Sequence, residues 1–389
     1  MLEWLGNSGA NAERVVREIF DSAGVGVEGK KPGDILVKND AFYGRLLRDA
    51  SIGLGESYME EWWECEELDL FIEKLLRVDI KKKIQGSLRM KLLTVQALVA
   101  NMQTRARSKE NVAAHYDIGN DLYEVMLCKR MVYTCGYWKD AKTLDEAQEA
   151  KLDLICKKAG IEPGMRVLDL GCGFGGFAMY AAEKYGADVL GVTVSTEQQK
   201  WGAATAKKKG LDGVELRLAD YRTVAGRFDR VVSIGMMEHV GWRNHRTFME
   251  VIHRCLHTDG IAVVHTIGSN ESQTHGIPFF EKYIFPNAAS PSMGQLGKAT
   301  EGLFAIEEVH NIGPDYRPTL LAWWKNFEAG YPTLDQKKYD RRFWLMWRFY
   351  LLAAAGAVAA RESQLWHMIL THIGRAQPNC RDFGPPPRS

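Results

Sequence analysis

A chain of 389 residues is too long for one small core and is expected to divide into two compact units. Its composition, 46% apolar and 25% charged, excludes wholesale disorder, collagen-like repeats and low-complexity assembly. A net charge of +1 excludes a surface built throughout for nucleic acid, and no nucleic-acid partner is expected.

Seven cysteines occur, at Cys65, Cys128, Cys135, Cys156, Cys172, Cys255 and Cys380, with no CxxC pair. The odd number and the spacing argue against a disulfide framework or a structural zinc site, so no metal is expected and a reducing cytoplasm fits better. The start, Met-Leu-Glu-Trp-Leu-Gly, lacks a basic stretch before an apolar core, so no signal peptide is expected.

Helical patterns cover Ala12–Ala23 and Ala41–Leu47, separated by GVGVEGKKPGD and a short strand, ILV. Leu68–Leu76 is amphipathic, with Leu68, Phe71, Ile72, Leu75 and Leu76 at helical spacing. A basic run follows, with Arg77, Lys81, Lys82, Lys83, Arg89 and Lys91 among aliphatic residues. Such a run is usually a solvated helix face. The polar stretch Asn101–Asn111 reads as a linker, giving an N-terminal domain over 1–100, a linker over 101–113 and a second domain over 114–389.

The second domain alternates strand and helix. Strands are expected at Arg166–Leu170, Asp188–Thr193, Val214–Leu218, Asp229–Ile234 and Ile261–Thr266. Helices are expected at Phe177–Lys184, Thr196–Lys208 and Phe248–Leu256. This rhythm predicts an α/β fold with a doubly wound, mainly parallel sheet that binds ligands at the carboxyl ends of its strands. Beyond Gly268 a late strand is expected at Ala305–Asn311, and helix at Leu320–Ala329 and Tyr339–Leu370. Within the last, Phe343–Ala360 is apolar except for Arg348. It barely reaches spanning length with a charge well inside, so a buried or lipid-facing helix is the better reading.

The strongest local signal is Val167-Leu-Asp-Leu-Gly-Cys-Gly-Phe-Gly-Gly176. Gly171 and Gly173 permit positive φ and close backbone approach to a ligand, and Asp169 lies beside that turn. Gly171, Gly173 and Gly176 satisfy GxGxxG, which admits a dinucleotide. That reading wants an acid at the end of the second strand, and Gly191-Val-Thr-Val-Ser195 has none. Asp169 two residues before the glycines, with Asp220 after the third strand, is the pattern of class I methyltransferases that use S-adenosylmethionine. Other readings are a nicotinamide oxidoreductase, a methyltransferase acting on a soluble amine and a non-enzymatic lipid-binding module.

Eight segments in order carry a resemblance: Gly53–Asp69, His115–Tyr123, Tyr133–Trp138, Val167–Gly176, Gly191–Gln198, Gly235–Gly241, His265–Ser269 and Tyr283–Asn287. Through them the chain resembles, along nearly its full length, the cyclopropane-fatty-acyl-phospholipid synthases of the mycolic acid cyclopropane synthase superfamily. The N-terminal match separates it from the shorter mycolic acid enzymes. The resemblance implies a class I methyltransferase domain behind a smaller, mainly helical N-terminal domain that binds lipid or dimerises. It implies transfer of a methylene from S-adenosylmethionine to a cis double bond of a phospholipid acyl chain. The alkene attacks the sulfonium methyl, and a base, bound bicarbonate in related enzymes, then removes a proton as the ring closes.

By the same resemblance Tyr133, Thr134, Gly171, Gly173, Thr193, Val194 and Gln198 hold the donor, Asp169 supports the turn, and Asp220 and Tyr221 lie near the adenine. Cys135, Glu238, His265, Ile267 and Tyr316 form a bicarbonate shell, with His115 nearby. Taken alone, a buried Glu or His is usually a satisfied structural group, and a lone Cys a small core residue. Some relatives carry a cysteine in the late helix; Ala354 stands here, so no thiol acts from that place. The implied setting is a cytoplasmic homodimer associated peripherally with the inner face of the membrane.

Overall fold

The structure, a computed structural model, describes residues 8–78 and 118–379. The linker 101–113, the lysines Lys81–Lys83, His115 and Cys380 lie outside the described residues. By contacts the chain forms two interleaved units. Of the described residues, one unit comprises 8–78, Ile118, Ile277–Pro286 and Glu328–Glu362; the other comprises Gly119–Gly276, Asn287–Phe327 and 363–379. Two late segments thus pack with the N-terminal residues, which a single boundary near residue 100 does not provide for.

The first unit is mainly helical. It contains α1 (Ser8–Ser22), α2 (Ala41–Met59) and α3 (Leu68–Leu76), with a short antiparallel pair, β1 (Leu36–Val37) and β2 (Trp63–Glu64). Its core is aromatic: Phe20, Phe42, Trp63 and Phe71 are at most 2% exposed. Edge-on packing of Phe20 on Phe71, with centroids 5.6 Å apart, adds to their apolar burial. The late segments supply α9 (Pro278–Tyr283) and α12 (Arg341–Ala359); numbering follows the chain through the elements below. Glycine lets both approach closely. A Cβ on Gly55 of α2 would lie 2.2 Å from the Phe279 ring, and one on Gly356 of α12 would lie 2.4 Å from the Asp69 carbonyl oxygen.

Arg348, the charge inside the apolar stretch, is satisfied within this unit. It hydrogen-bonds the Tyr58 hydroxyl and donates to the carbonyls of Glu66 (2.8 Å) and Cys65 (3.1 Å). Among the described residues no helix is long and apolar enough to cross a membrane.

The second unit holds α4 (Asn120–Met126), α5 (Leu144–Ala159), β3 (Arg166–Leu170), α6 (Gly176–Tyr185), β4 (Asp188–Thr193), α7 (Thr196–Lys208) and β5 (Val214–Leu218). There follow β6 (Phe228–Ile234), α8 (His245–Cys255), β7 (Leu256–Ser269), α10 (Met293–Thr300), β8 (Phe304–Asn311), α11 (Tyr316–Gly330) and β9 (Ser363–His372). The last residues of α11 fall in the first unit. Side-chain caps fix several starts: Thr143 and Glu146 form a capping box on α5, and Ser195 accepts from Gln198 N–H on α7.

The seven strands run in the order β5-β4-β3-β6-β7-β9-β8. β5 to β7 are parallel, and β9 and β8 are antiparallel additions. The order reverses between β3 and β6, which opens a ligand crevice at their carboxyl ends. Leu168, Val231, Phe248, Ile252, Val264 and Met368 join one buried core around this sheet.

Five elements, α3, β3, β4, α7 and β5, have the bounds the sequence predicts. The expected helix Tyr339–Leu370 is corrected. It ends at Ala359, Arg361 turns the chain at φ 65°, and Ser363–His372 is a strand buried along most of its length. Its pairing with both β7 and β8 is a tertiary effect that outweighs local preference.

The close approach at Gly356 gives a stability test. Gly356→Ala should destabilise the protein by about 1–3 kcal/mol through overpacking. Gly297→Ala, in helix α10 with open space around its Cβ, should be neutral or stabilise by up to about 1 kcal/mol. Urea unfolding of both variants measures the contrast.

Candidate active site

The glycine turn leaves β3 through Gly171 at φ 79° and Gly173 at φ 55°. The amides of Gly171 and Cys172 both donate to the Val192 carbonyl (2.9 Å each), which ties the turn to β4. A Cβ on Gly171 would lie 2.8 Å from Met236, whereas one on Gly173 would meet no atom within 4 Å. Gly173 therefore faces open space and Gly171 packs against protein. Beneath the turn Asp169 is 1% exposed, and its Oδ2 has no hydrogen-bond partner among the described residues. Burial pushes its pKa up to about 7, against the pull of Lys151.

Lys151 is the residue sequence reasoning missed here. It sits in α5 with its side chain fully buried and donates to Thr134 Oγ1 at 2.9 Å. Burial lowers its pKa to about 8. Gln148, one turn earlier, donates to the Thr134 carbonyl at 2.6 Å. The two side chains fix the segment Tyr133–Cys135, and the Tyr133 ring lies 5.1 Å from that of Trp323.

On β4, buried Thr193 donates to Gln198 Oε1 at 3.1 Å, and Val194 beside it is 76% exposed. After β5, Asp220 accepts from the Arg222 backbone N–H and guanidinium, which holds its pKa down to about 2. Tyr221 next to it packs edge-on against Phe248. Thr193, Gln198 and Asp220 thus follow the carboxyl ends of β4 and β5, next to the glycine turn of β3.

A second cluster forms where β6 and β7 end. Glu238, in the turn after β6, is 4% exposed. Its Oε1 accepts the Ile267 N–H at 2.5 Å, and its Oε2 is buried with no hydrogen-bond partner among the described residues. Burial raises its pKa to about 7, and the Ile267 amide only partly offsets this. His265 of β7 is 1% exposed, with Nδ1 2.9 Å from Nε2 of His367. Burial holds both imidazoles well below their ordinary pKa, so they are neutral at pH 7.

Cys135, Ile312 and Leu365 form a small buried cluster against which Ile267 and Tyr316 pack. The Cys135 thiol donates to the Gly136 carbonyl, and burial pushes its pKa up. It is a neutral thiol rather than a thiolate nucleophile. The structure therefore hydrogen-bonds Glu238 to Ile267 and packs Ile267 and Tyr316 against the cluster that contains Cys135, with His265 two residues before Ile267. The Ile267 amide donates to Glu238, so the two residues expected in one shell are joined directly. His367 carries no signal in the sequence, because its strand reads as helix.

These residues fit both implied ligands. Open space at Gly173 admits a donor against the backbone. The unpartnered Oε2 of Glu238, a carboxyl near neutrality, and Nε2 of His265, whose Nδ1 faces His367, suit a small hydrogen-bonding anion. No group of His, Cys, Asp and Glu among the described residues could hold a metal ion.

The strand order, the glycine turn and its flanking strand ends define a class I methyltransferase, an enzyme that uses S-adenosylmethionine. The profile described as "Mycolic acid cyclopropane synthetase" matches residues 103–368, and the chain belongs to that family. It is 45% identical to the cyclopropane-fatty-acyl-phospholipid synthase of Escherichia coli K12 over 361 residues, 93% of this chain and 94% of that one. It is 32% identical to a probable fatty acid methyltransferase of Pseudomonas putida, over 83% of each chain. Among solved structures it resembles mycolic acid cyclopropane synthase CmaA1 complexed with SAH and CTAB, at 30% identity and TM-score 0.59, covering 67% of this chain and 96% of that one. Cyclopropane synthase MmaA2 of Mycobacterium tuberculosis, at 26% identity, gives a TM-score of 0.60 over 67% of this chain and 96% of its own.

Glu238 makes stability depend on pH. Its folded pKa of about 7 lies above the ordinary 4.5, so between these values the unfolded chain releases a proton that the folded one keeps. The resulting penalty is absent below pH 4.5, grows through the window and is complete above pH 7, where it reaches roughly 3 kcal/mol. Glu238→Gln removes it. The melting temperature of the variant relative to wild type should therefore rise between pH 5 and pH 8. A difference that stays constant would contradict the raised pKa.

Proposed function

We propose that this enzyme transfers a methylene group from S-adenosylmethionine to the cis double bond of an unsaturated acyl chain in a membrane phospholipid, forming a cyclopropane ring with bicarbonate as general base. The observation that carries the reading is Glu238, buried with one carboxyl oxygen unpartnered and bonded to Ile267, which follows neutral His265 by two residues and packs with Tyr316 on the Cys135 cluster. High identity to the Escherichia coli synthase across both chains supports the substrate class.

In this reading Gly171 and Gly173 let the donor lie against the backbone, with Asp169 beneath the turn. Tyr133 and Thr134 border the donor from one side, Thr193, Val194 and Gln198 from another, and Asp220 and Tyr221 flank the adenine. Bicarbonate supplies a proton acceptor that does not trap a carbocation. Glu238 orients that ion through Oε2, His265 faces it with Nε2, and Tyr316 and Cys135 close the shell; His115 is a further candidate by resemblance. Ile267 acts by holding Glu238 in place. Cys135 stays a thiol and Glu238 lies near neutrality, so neither offers a strong anion to the cation.

The N-terminal unit is the proposed lipid-binding and dimerisation element of a homodimer that works on the inner face of the cytoplasmic membrane. Lys81, Lys82 and Lys83 are the proposed contact with anionic headgroups. Neutralising them should weaken co-sedimentation with anionic vesicles by up to about 1 kcal/mol per charge, less at high salt.

The donor site is tested at Gly173, because Gly171→Val would drive a side chain into Met236 and confound binding with folding. Gly173→Ala should cost about 1–2 kcal/mol in stability through its left-handed backbone. It should weaken S-adenosylhomocysteine binding well beyond that, as measured by calorimetric titration. Unchanged affinity would remove the turn from the donor site. Fatty-acid methyl esters from cells producing the protein test the product. A species one CH2 heavier that lacks the double bond but contains a ring supports the reading. A methyl branch would favour the chemistry named for the Pseudomonas putida relative. Full activity in bicarbonate-depleted buffer, or a fully active Glu238→Gln enzyme, would overturn the assigned base.

A further inference from the structure

Three neighbouring strands each carry a histidine at paired register positions. His265 of β7 lies opposite His367 of β9, and His367 lies opposite His310 of β8. Directly opposed residues project to the same face of a sheet, so the three imidazoles form one row across the strands. β8 is the edge strand, so the row runs from the active site to the rim of the sheet. Exposure rises along it: His265 and His367 are 1% and 0% exposed, whereas His310 is half-buried.

The inner contact is a direct hydrogen bond between His265 Nδ1 and His367 Nε2, at 2.9 Å. Farther out, the His367 and His310 rings meet edge to face with centroids 6.2 Å apart. Nδ1 of each is buried and has no hydrogen-bond partner among the described residues. Two unsatisfied ring nitrogens on neighbouring side chains suit one bridging water. The row is flanked by Tyr137, whose ring lies 6.1 Å from His310, and by the buried ion pair of Lys158 with Glu308 at 2.8 Å. Lys151 adds positive charge from α5.

We propose that His265, His367 and His310 are the proton exit of this active site. The inference rests on the proposed reading, in which a proton leaves the new methyl group and must reach solvent from a dry pocket. Burial and the two lysines disfavour imidazolium, so the rings pass the proton while staying neutral. A proton collected at the anion site bonds to His265 Nε2 as His265 Nδ1 releases one to His367 Nε2. His367 Nδ1 releases one in turn toward His310. Each ring exchanges one N–H bond for another, one proton enters, one leaves, and no charge remains. Reversing the relay would return the proton, so the starting tautomers are restored by rotation of the rings before the next turnover.

The test uses the full-length protein with vesicles of an unsaturated phospholipid. His367→Gln keeps an acceptor toward His265 Nδ1–H but cannot relay a proton; His310→Gln breaks the row at its outer end. Both should bind S-adenosylhomocysteine like wild type. His367→Gln should lower kcat by about tenfold or more, and His310→Gln in the same direction. The solvent deuterium effect on kcat should grow in both, which a merely structural role would not produce. In protein carrying 15N-histidine, bicarbonate should shift the imidazole resonances of His265 and His367 together. Wild-type kcat and isotope effect in both variants would overturn the relay and leave the base standing. A wild-type enzyme indifferent to bicarbonate would instead overturn the base itself. Should His367→Gln fail to bind S-adenosylhomocysteine, His310→Gln decides alone.

Discussion

The hydrogen bond from Ile267 N–H to Glu238 Oε1 holds the site together, because it ties the turn after β6 to the end of β7. Parallel strands bring their carboxyl ends to one edge, but the loops that leave them are otherwise free to diverge. Here a short hydrogen bond pins one such loop at the depth of the sheet. The Glu238 carbonyl also accepts from Ala289 N–H at 2.9 Å, so the chain is gripped on both sides of the residue. With its backbone and Oε1 committed, Glu238 can present only Oε2 to a ligand. One carboxyl oxygen of fixed direction is what orientation of a small ion requires.

The ionisable groups around this edge share one electrostatic condition. Asp169 and Glu238 are raised, and Lys151, His265 and His367 are lowered, each chiefly by burial. All five move toward their neutral forms, the signature of a pocket that water does not screen. A cation formed on an alkyl chain is destroyed by water or by a good nucleophile. The same dryness that makes Glu238 costly to ionise keeps Cys135 a thiol and withholds nucleophiles from such an intermediate. Stability and reactivity are therefore set by a single term, desolvation, acting in opposite directions.

Much of this was legible in the sequence where punctuation is local. Gly171 and Gly173 announce a turn, Thr196–Lys208 reads as a helix, and the β-branched and aliphatic runs between them are short enough to be strands. Glu238 and His265 were legible only through resemblance, since neither a lone Glu nor a lone His declares itself. Two features stayed hidden for different reasons. Lys151 lies in a run, Ala147 to Lys158, whose polar positions look solvated; only packing shows that its amine points inward to Thr134. β9 follows an apolar helix almost without interruption, and Leu365–Leu370 is too short and too apolar for periodicity to separate strand from helix. Its identity as a strand comes from the two neighbours that bond to it.

The interleaving of the units follows from the same strand. A sheet that ended at β7 would be complete as a parallel set, and its edge would be open. β9 covers that edge, but antiparallel pairing with β7 requires the chain to re-enter from the carboxyl end. The chain arrives there from α12, which belongs by its packing to the first unit, after Arg361 and Glu362 have turned it. The segment that packs with the N-terminal helices is thus joined, with no intervening loop of its own, to the strand that seats His367 against His265. A one-residue slip in the register of β9 would turn His367 to the opposite face of the sheet. The late helix, though it holds no thiol to offer the chemistry, is therefore bound to it by connectivity.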